Sequence, residues 1–259
     1  MEHPRIGLSP EQAHEYATEG VTRLPGAVPV SDVAAMVDVL WTRLRARWGA
    51  HRDRPETWRV EHPAQLTSRV DDFAAMASPK VRAVLDELLG VGGWKTPDRW
   101  GVPLVTFPGF ARDWDVPHRH WHLDSQATAD PPRVARLFLV LAPSKPGGGG
   151  TGYVAGSHRV IRDLAQRQGG PLRSAEARKL LTAREPWFAA LAAIRPGEDR
   201  VARFMDEPGE AGCVPVQVRE MLGEPGDVLL MDPLMLHSFT PNARETPRMM
   251  LTEWVYGAD

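Results

Sequence analysis

The stretch HRHWHLDS, His118 to Ser125, sets three histidines at alternate positions and closes on an aspartate. In an extended chain alternate side chains share a side, so His122 and Asp124 can reach one metal ion while Trp121 and Leu123 face away. A His-x-Asp triplet arises by chance about 0.6 times in a chain of this composition, so a third ligand is required. His237, in GDVLLMDPLMLHSFTPNARETPRMML, follows a second apolar strand-like run. It would complete a face of two histidines and one carboxylate with positions left open, the arrangement by which non-haem iron(II) sites bind a cosubstrate and dioxygen together. Zinc stays open on residue type alone, although a structural zinc site would usually close with a fourth ligand. Arg248 begins the next strand, where its guanidinium can form a bidentate pair with an entering carboxylate, and this suits a dicarboxylic acid. Arg244 competes for that role but lies in the polar turn before the strand.

The elements that would position these residues fall into two stretches. LSPEQAHEYATEG carries Ser9 as N-cap, Pro10 at N1, Gln12 at N3 and Gly20 as a stop, and reads as a helix. VTRLPG reads as a strand and turn. SDVAAMVDVLWTRLRARWG repeats apolar residues at helical spacing, with Ser31 as the expected cap, and Pro79 to Leu89 reads as a third helix between Ser78 and Gly90. The first ninety residues are therefore expected to be mostly helical. Beyond them GVPLVTFPG, RVARLFLVLAP, GTGYVAG, GDVLLMDP and RMMLTEWVYG are short apolar runs bounded by glycine and proline, which read as strands. A helical excursion, SAEARKLLTAREPWFAALAAI, and a charged stretch from Arg195 to Gly212 interrupt them as an insertion or lid. The expectation is a single domain over 1–259, mainly β with peripheral helices. Its core would be a double-stranded β-helix, a jelly-roll or cupin-like barrel, over 94–259 with an insertion at about 174–215, preceded by a helical segment over 1–93 that packs on it.

Bulk properties narrow the partners. The 31 basic and 33 acidic side chains nearly cancel, which leaves no field to draw the chain to nucleic acid or an anionic membrane and favours a small-molecule substrate. One cysteine, Cys213, rules out a four-thiolate zinc or iron-sulfur site and suits a reducing cytoplasm. MEHPRIGLSPEQAHEYATEG lacks a basic segment followed by an apolar run, and no apolar run approaches the roughly 18 residues a membrane helix needs, so secretion and membrane spanning are not expected.

On these motifs the chain resembles the phytanoyl-CoA dioxygenase family of iron(II)/2-oxoglutarate oxygenases over nearly its whole length. LSPEQAHEYATEGVTRLPGAVPVSDVAAM is similar to that family's opening helix, strand and second helix. HLD stands where its first two iron ligands belong, TGYVAGSHR resembles its turn ending in Gly-Ser-His, and GDVLLMDPLMLHSFTPNARETPR carries the late Gly-Asp, His, Asn, Pro and Arg. The resemblance implies that His122, Asp124 and His237 bind Fe(II), that Arg248 holds the distal carboxylate of 2-oxoglutarate, and that O2 is the second cosubstrate. The implied reaction is hydroxylation of a small metabolite with release of succinate and CO2. Halogenation is disfavoured because family halogenases carry a small residue where Asp124 stands. The alternative is a jelly roll that binds metal or ligand without oxidative turnover. The family often has serine two residues after its last histidine; Phe239 stands there, and Thr106, on the strand before the metal motif, is the candidate replacement hydroxyl. The run in APSKPGGGGTGYV, Gly147 to Gly150, is expected to make a longer, mobile connection.

Other residues carry blander readings beside sharper ones. His118 and His120 could be ligands in a shifted register, but only His122 has aspartate two positions on. His120 would then face the barrel interior, as a residue of the substrate mouth or one that orients a ligand. His158 in GSHR reads as a turn or packing residue. Trp121 is expected to pack beneath the amino-terminal helices, and Trp94, Trp100 and Trp114 are expected mostly in the core, with a pocket wall as the alternative.

Overall fold

The computed structural model describes residues 7–59, 73–109, 113–128, 130 and 133–258. Helix α1 (Pro10–Glu19) forms where its caps predict: the Ser9 hydroxyl accepts from the Gln12 amide, and the Gln12 side chain accepts from the Ser9 amide. Gly20 ends it at φ 82°, and a Cβ there would lie 2.0 Å from Met235 Cε and 2.5 Å from His158 Nδ1, so glycine is required twice over. The chain then enters strand β1 (Val21–Leu24) and helix α2 (Val30–Trp48). Ser31 does not cap α2. The helix starts earlier, with the Pro29 carbonyl accepting from the amides of Asp32 and Val33, which leaves Ser31 inside the first turn. Helix α3 (Pro79–Leu89) is capped as expected, the Ser78 hydroxyl accepting from the Val81 amide. Part of the expected helical prelude, 60–72, lies outside the described residues.

Strands β2 (Val102–Thr106), β3 (Val134–Val140), β7 (Val228–Met231) and β9 (Arg248–Tyr256) join β1 in a five-stranded antiparallel sheet of order β1-β7-β3-β9-β2. Strands β4 (Thr151–Ala155), β5 (Gly209–Ala211), β6 (Val214–Glu220) and β8 (His237–Phe239) form a second sheet, β5-β6-β4-β8. The jelly-roll type of core is present as two facing sheets that do not hydrogen bond into a closed barrel.

Side-chain alternation divides the core into three layers. Leu137, Leu139, Leu230 and Leu251 on the larger sheet pack against Leu40 and Leu44 of α2 and Val84 and Leu85 of α3. The opposite faces of the same strands, with Phe138, Val140, Leu229 and Met250, meet Tyr153 and Ala155 of β4 between the sheets. The outer face of the smaller sheet, with Val154, Val216 and Val218, is covered by helix α4 (Ser157–Gln168), α5 (Ser174–Arg184) and α6 (Pro186–Ala192).

The excursion expected as one helix is two. Glu185, held extended at φ −114° and ψ 109° ahead of Pro186, separates α5 from α6, because a residue before proline is forced out of the helical region. The charged stretch after α6 contains a π-helical turn (Ala202–Asp206) and β5, and it is pinned rather than free. Arg200 is buried; its Nε donates to the Val116 carbonyl (3.1 Å), Nη1 to Ala193 (2.7 Å), and Nη2 to Leu191 (2.8 Å) and Pro117 (3.2 Å). It thereby ties this stretch to the segment that leads into HRHWHLDS. Arg200→Met is expected to leave the Val116, Ala193 and Leu191 carbonyls without their donor, the Pro117 carbonyl still accepting from the Trp121 indole, and to lower stability by about 2 kcal/mol in a urea titration.

Candidate metal centre

Trp121 and Leu123 are each 4% exposed and sink into the core beneath α4 to α6, together with Leu236 on the approach to β8. Burial of these three apolar side chains turns their neighbours His122, Asp124 and His237 to the opposite side. Trp121 therefore packs under the helices inserted between β4 and β5, not under the amino-terminal helices, which cover the other sheet. Segment 118–126 is not a regular strand either. His122 forms a single antiparallel bridge with His237, each amide donating to the other's carbonyl at 2.9 and 3.1 Å. That reciprocal pair places two imidazoles from distant parts of the chain on one face, with ring centroids 4.3 Å apart.

The three ligand atoms all lie within 4.8 Å of one another. His122 Nε2 stands 3.5 Å from Asp124 Oδ1, and His237 Nε2 stands 3.4 Å from Oδ2. Two ligands at ~2.1 Å from one ion and at right angles would be ~3 Å apart, so each histidine–aspartate pair is within a few tenths of an ångström of a coordinating separation. Each ring is also set in the right tautomer. His122 Nδ1 lies 2.8 Å from the His120 carbonyl and His237 Nδ1 lies 3.0 Å from the Met235 carbonyl. A carbonyl only accepts, so Nδ1 carries a proton; without an ion Nε2 can be protonated as well and donate to Asp124, and loss of that proton frees the Nε2 lone pair an ion would take. Burial opposes ionisation of Asp124, but hydrogen bonding to His122 and His237 and the charges of His237 and Arg136 outweigh it and hold the carboxyl well below its usual range. The hydrogen bond to Asp124 raises His122 against the opposing effect of burial. The His122 side chain is 44% exposed and that of His237 only 7%, so the centre opens on the His122 side.

Arg248 stands where its spacing predicts, at the start of β9 and buried. Its Nη2 donates to the Thr151 hydroxyl at 2.8 Å, its Nε has no partner, and no carboxylate pairs with it among the described residues. Burial lowers its pKa to about 10, which leaves it charged at neutral pH. A buried cation without a counter-ion is costly, and an entering anion would remove that cost. Thr151 faces Phe239 and Tyr153 faces His237 across β4 and β8, so the hydroxyl on Arg248 is one same-face step, about 7 Å, from the position opposite His237.

Thr106 is the cross-strand partner of Arg248, and its carbonyl accepts from the Asn242 side-chain amide. The hydroxyl found on the guanidinium is that of Thr151. The sequence reading missed it because the contact crosses from one sheet to the other; a threonine opening a strand after a glycine run was the only local sign. Also missed was Arg136, the lone cation in the apolar run VARLFLV. It points between the sheets, its Nη2 3.3 Å from Asp124 Oδ2 and its guanidinium over the Trp254 ring at 4.4 Å.

The remaining expectations divide. His120 adopts φ 64°, a rare conformation for a residue other than glycine, and is exposed with its ring 5.0 Å from that of Phe239, so it does not face the interior. His118 and His120 are outside the ligand cluster. His158 packs, buried, in the first turn of α4 rather than in a loop, its Nε2 3.2 Å from the Ala17 carbonyl. Trp100 is in the amino-terminal core with Trp94 against it edge-on, and Trp114 packs at the edge of the second core. Arg244 donates from Nε to the Pro146 carbonyl. Gly147 to Gly150 is not a loose connection: the Gly147 amide donates to Glu220, its carbonyl accepts from Ala243, and a Cβ on Gly149 would meet Asn242 Cβ at 2.9 Å. Among the described residues no helix is long and apolar enough to cross a membrane.

No family model and no curated protein matches the chain in sequence. Its fold matches solved structures. EctD from S. alaskensis, in its apo form, superposes with TM-score 0.57 at 20% identity, over 100% of this chain and 79% of that one. The non-heme alpha ketoglutarate dependent carbocyclase SnoK from nogalamycin biosynthesis gives 0.53 at 17% identity, over 97% and 84%. The epimerase SnoN, in complex with Fe3+, alpha ketoglutarate and nogalamycin RO, gives 0.52 at 17%, over 95% and 82%. At these identities the likeness establishes the fold.

Proposed function

We propose that the chain is a non-haem iron(II)- and 2-oxoglutarate-dependent dioxygenase of the phytanoyl-CoA dioxygenase type, acting on a small-molecule metabolite, with hydroxylation as its reaction. The observation that carries this reading is the pairing of two sites in the space between the sheets: a His122, Asp124 and His237 donor set in the metal-binding tautomers, and the buried Arg248 one strand step beyond it, without a carboxylate. The fold it shares with SnoK and SnoN, whose names carry alpha ketoglutarate and, for SnoN, iron, supports the same reading.

Iron, when bound by His122, Asp124 and His237, would supply the redox chemistry: one atom of dioxygen goes to succinate as 2-oxoglutarate loses CO2, and the other goes to the substrate as a hydroxyl group. The protein's part is placement. The His120 and Met235 carbonyls hold the two imidazoles by their Nδ1 protons, and Arg136 meets Asp124 at Oδ2. Arg248 and Thr151 take the distal carboxylate, with Thr106 on the neighbouring strand, and fix the cosubstrate's other end towards the ligands. Three protein ligands would leave positions open for the cosubstrate and dioxygen.

Anaerobic addition of iron(II) and then 2-oxoglutarate is expected to produce the visible charge-transfer band of their complex; a protein that binds both without that band, or binds neither, is not this enzyme. Thr151→Val is expected to raise the 2-oxoglutarate concentration for half-maximal band intensity about fivefold, ~1 kcal/mol for one hydrogen bond to a charged group that Arg248 partly replaces with water, while leaving metal affinity unchanged.

A further inference from the structure

Strand β3 runs through the centre of the larger sheet, and Arg136 is its only charged residue. The side chain is 11% exposed, between the cross-strand neighbours Met231 on β7 and Trp254 on β9. Its guanidinium carbon lies 4.4 Å from the centre of the Trp254 ring and 4.9 Å from that of Phe138, and Nη2 stands 3.3 Å from Asp124 Oδ2. Two aromatic rings and one carboxylate therefore fix the charge in place.

Placed there, the arginine works against metal affinity. A divalent ion held by His122, Asp124 and His237 would neutralise Asp124 by itself, and a guanidinium on the same carboxylate repels that ion. What Arg136 supplies is geometry. The two oxygens of Asp124 are not equivalent: Oδ1 faces His122 Nε2 at 3.5 Å, whereas Oδ2, 3.4 Å from His237 Nε2, also has the cation on it. An oxygen already paired with one cation is the poorer donor to a second, so an entering ion is steered to Oδ1.

We propose that Arg136 is a positioning residue that confines Asp124 to coordination through Oδ1 alone and so keeps open a position on the metal that a two-oxygen carboxylate would close. As a place reserved for dioxygen beside the cosubstrate, that position rests on the oxygenase reading; as control of how the carboxylate binds, it needs only the metal centre. Without Arg136 both oxygens are free to turn to the ion, which then gains a bond, loses a repelling neighbour and has one open position fewer.

Mn(II) reports both effects, because each water molecule on the bound ion speeds the relaxation of the bulk water protons. In the full chain without cosubstrate, Arg136→Met is expected to bind Mn(II) about tenfold more tightly by calorimetry, and the water-proton relaxivity of the bound ion is expected to fall by about a third, as roughly three water positions become two. Saturating 2-oxoglutarate should widen the difference by leaving a water on the wild-type ion and none on that of the variant. Arg136→Gln, which removes the charge but keeps a polar end, should move both readings in the same direction, and Arg136→Lys should hold both at the wild-type values, with unchanged circular dichroism spectra throughout. Unchanged relaxivity in the neutral variants, an equal loss in Arg136→Lys, or no Mn(II) binding by the wild type would each overturn the proposal. Weaker Mn(II) binding by the neutral variants would overturn it too, by making Arg136 part of the scaffold that holds the ligands. The expected differences with Mn(II), together with failure of the iron and 2-oxoglutarate titration, would instead sink the oxygenase reading and leave the control of the carboxylate standing.

Discussion

Asp124→Ala is expected to lower 2-oxoglutarate-dependent succinate formation by about a thousandfold, ~4 kcal/mol of lost barrier reduction, and to abolish the charge-transfer band. The size follows from what the carboxylate does. It is the only acid in the ligand cluster, it stands between two imidazole Nε2 atoms at 3.4 and 3.5 Å, and it meets Arg136 at 3.3 Å. Without it two neutral nitrogens would have to hold a divalent cation beside a fixed guanidinium, and repulsion from Arg136 would add to the loss of a ligand. Asp124→Asn keeps the volume but removes the charge and turns one acceptor oxygen into a donor, so it separates charge from shape. Both variants should bind Mn(II) at least tenfold more weakly by calorimetry while keeping the wild-type circular dichroism spectrum. Retention of metal affinity in either would show that the ion is held elsewhere.

The features legible in the sequence were those decided locally. Ser9 with Gln12, Ser78, and the glycine and proline boundaries of β2, β3, β4, β7 and β9 are satisfied by neighbours a few residues away, and they are where the pattern places them. That His122, Asp124 and His237 come together was legible because a His-x-Asp triplet and a late histidine between apolar runs can be matched to one metal chemistry. What was missed depends on contacts that the local pattern does not carry. Helix α4 begins at Ser157 inside a segment whose Gly-Ser-His reads as a turn, although Val160, Ile161, Leu164 and Ala165 have helical spacing. Strand β6 alternates Val214, Val216 and Val218, a signal present in the sequence but overshadowed by the charged stretch before it. The metal motif itself is held by one bridge and two buried side chains rather than by a strand. Thr151 and Arg136 acquire their roles only when two sheets face each other.

Arg248→Met is expected to raise the 2-oxoglutarate requirement at least about a hundredfold, ~2.7 kcal/mol, with metal affinity unchanged and stability equal to or above that of the wild type. The combination is what distinguishes a ligand-binding arginine from a structural one. A buried arginine that closes an ion pair leaves an uncompensated charge when removed, and the fold suffers. Among the described residues Arg248 has no acid to leave behind: its Nε is unpartnered and its Nη2 donates to the Thr151 hydroxyl. A methionine of similar length would bury apolar surface among Met250 and Leu104, which face the same space, and would relieve the cost of holding a charge there. The folded chain without cosubstrate therefore carries stored electrostatic cost at this position, and only an anion arriving between the sheets recovers it. Urea midpoints measured with and without 2-oxoglutarate test this directly. The wild type should gain stability when 2-oxoglutarate is added and Arg248→Met should not, whereas a lower midpoint for the variant in the absence of 2-oxoglutarate would mean that the guanidinium is part of the scaffold.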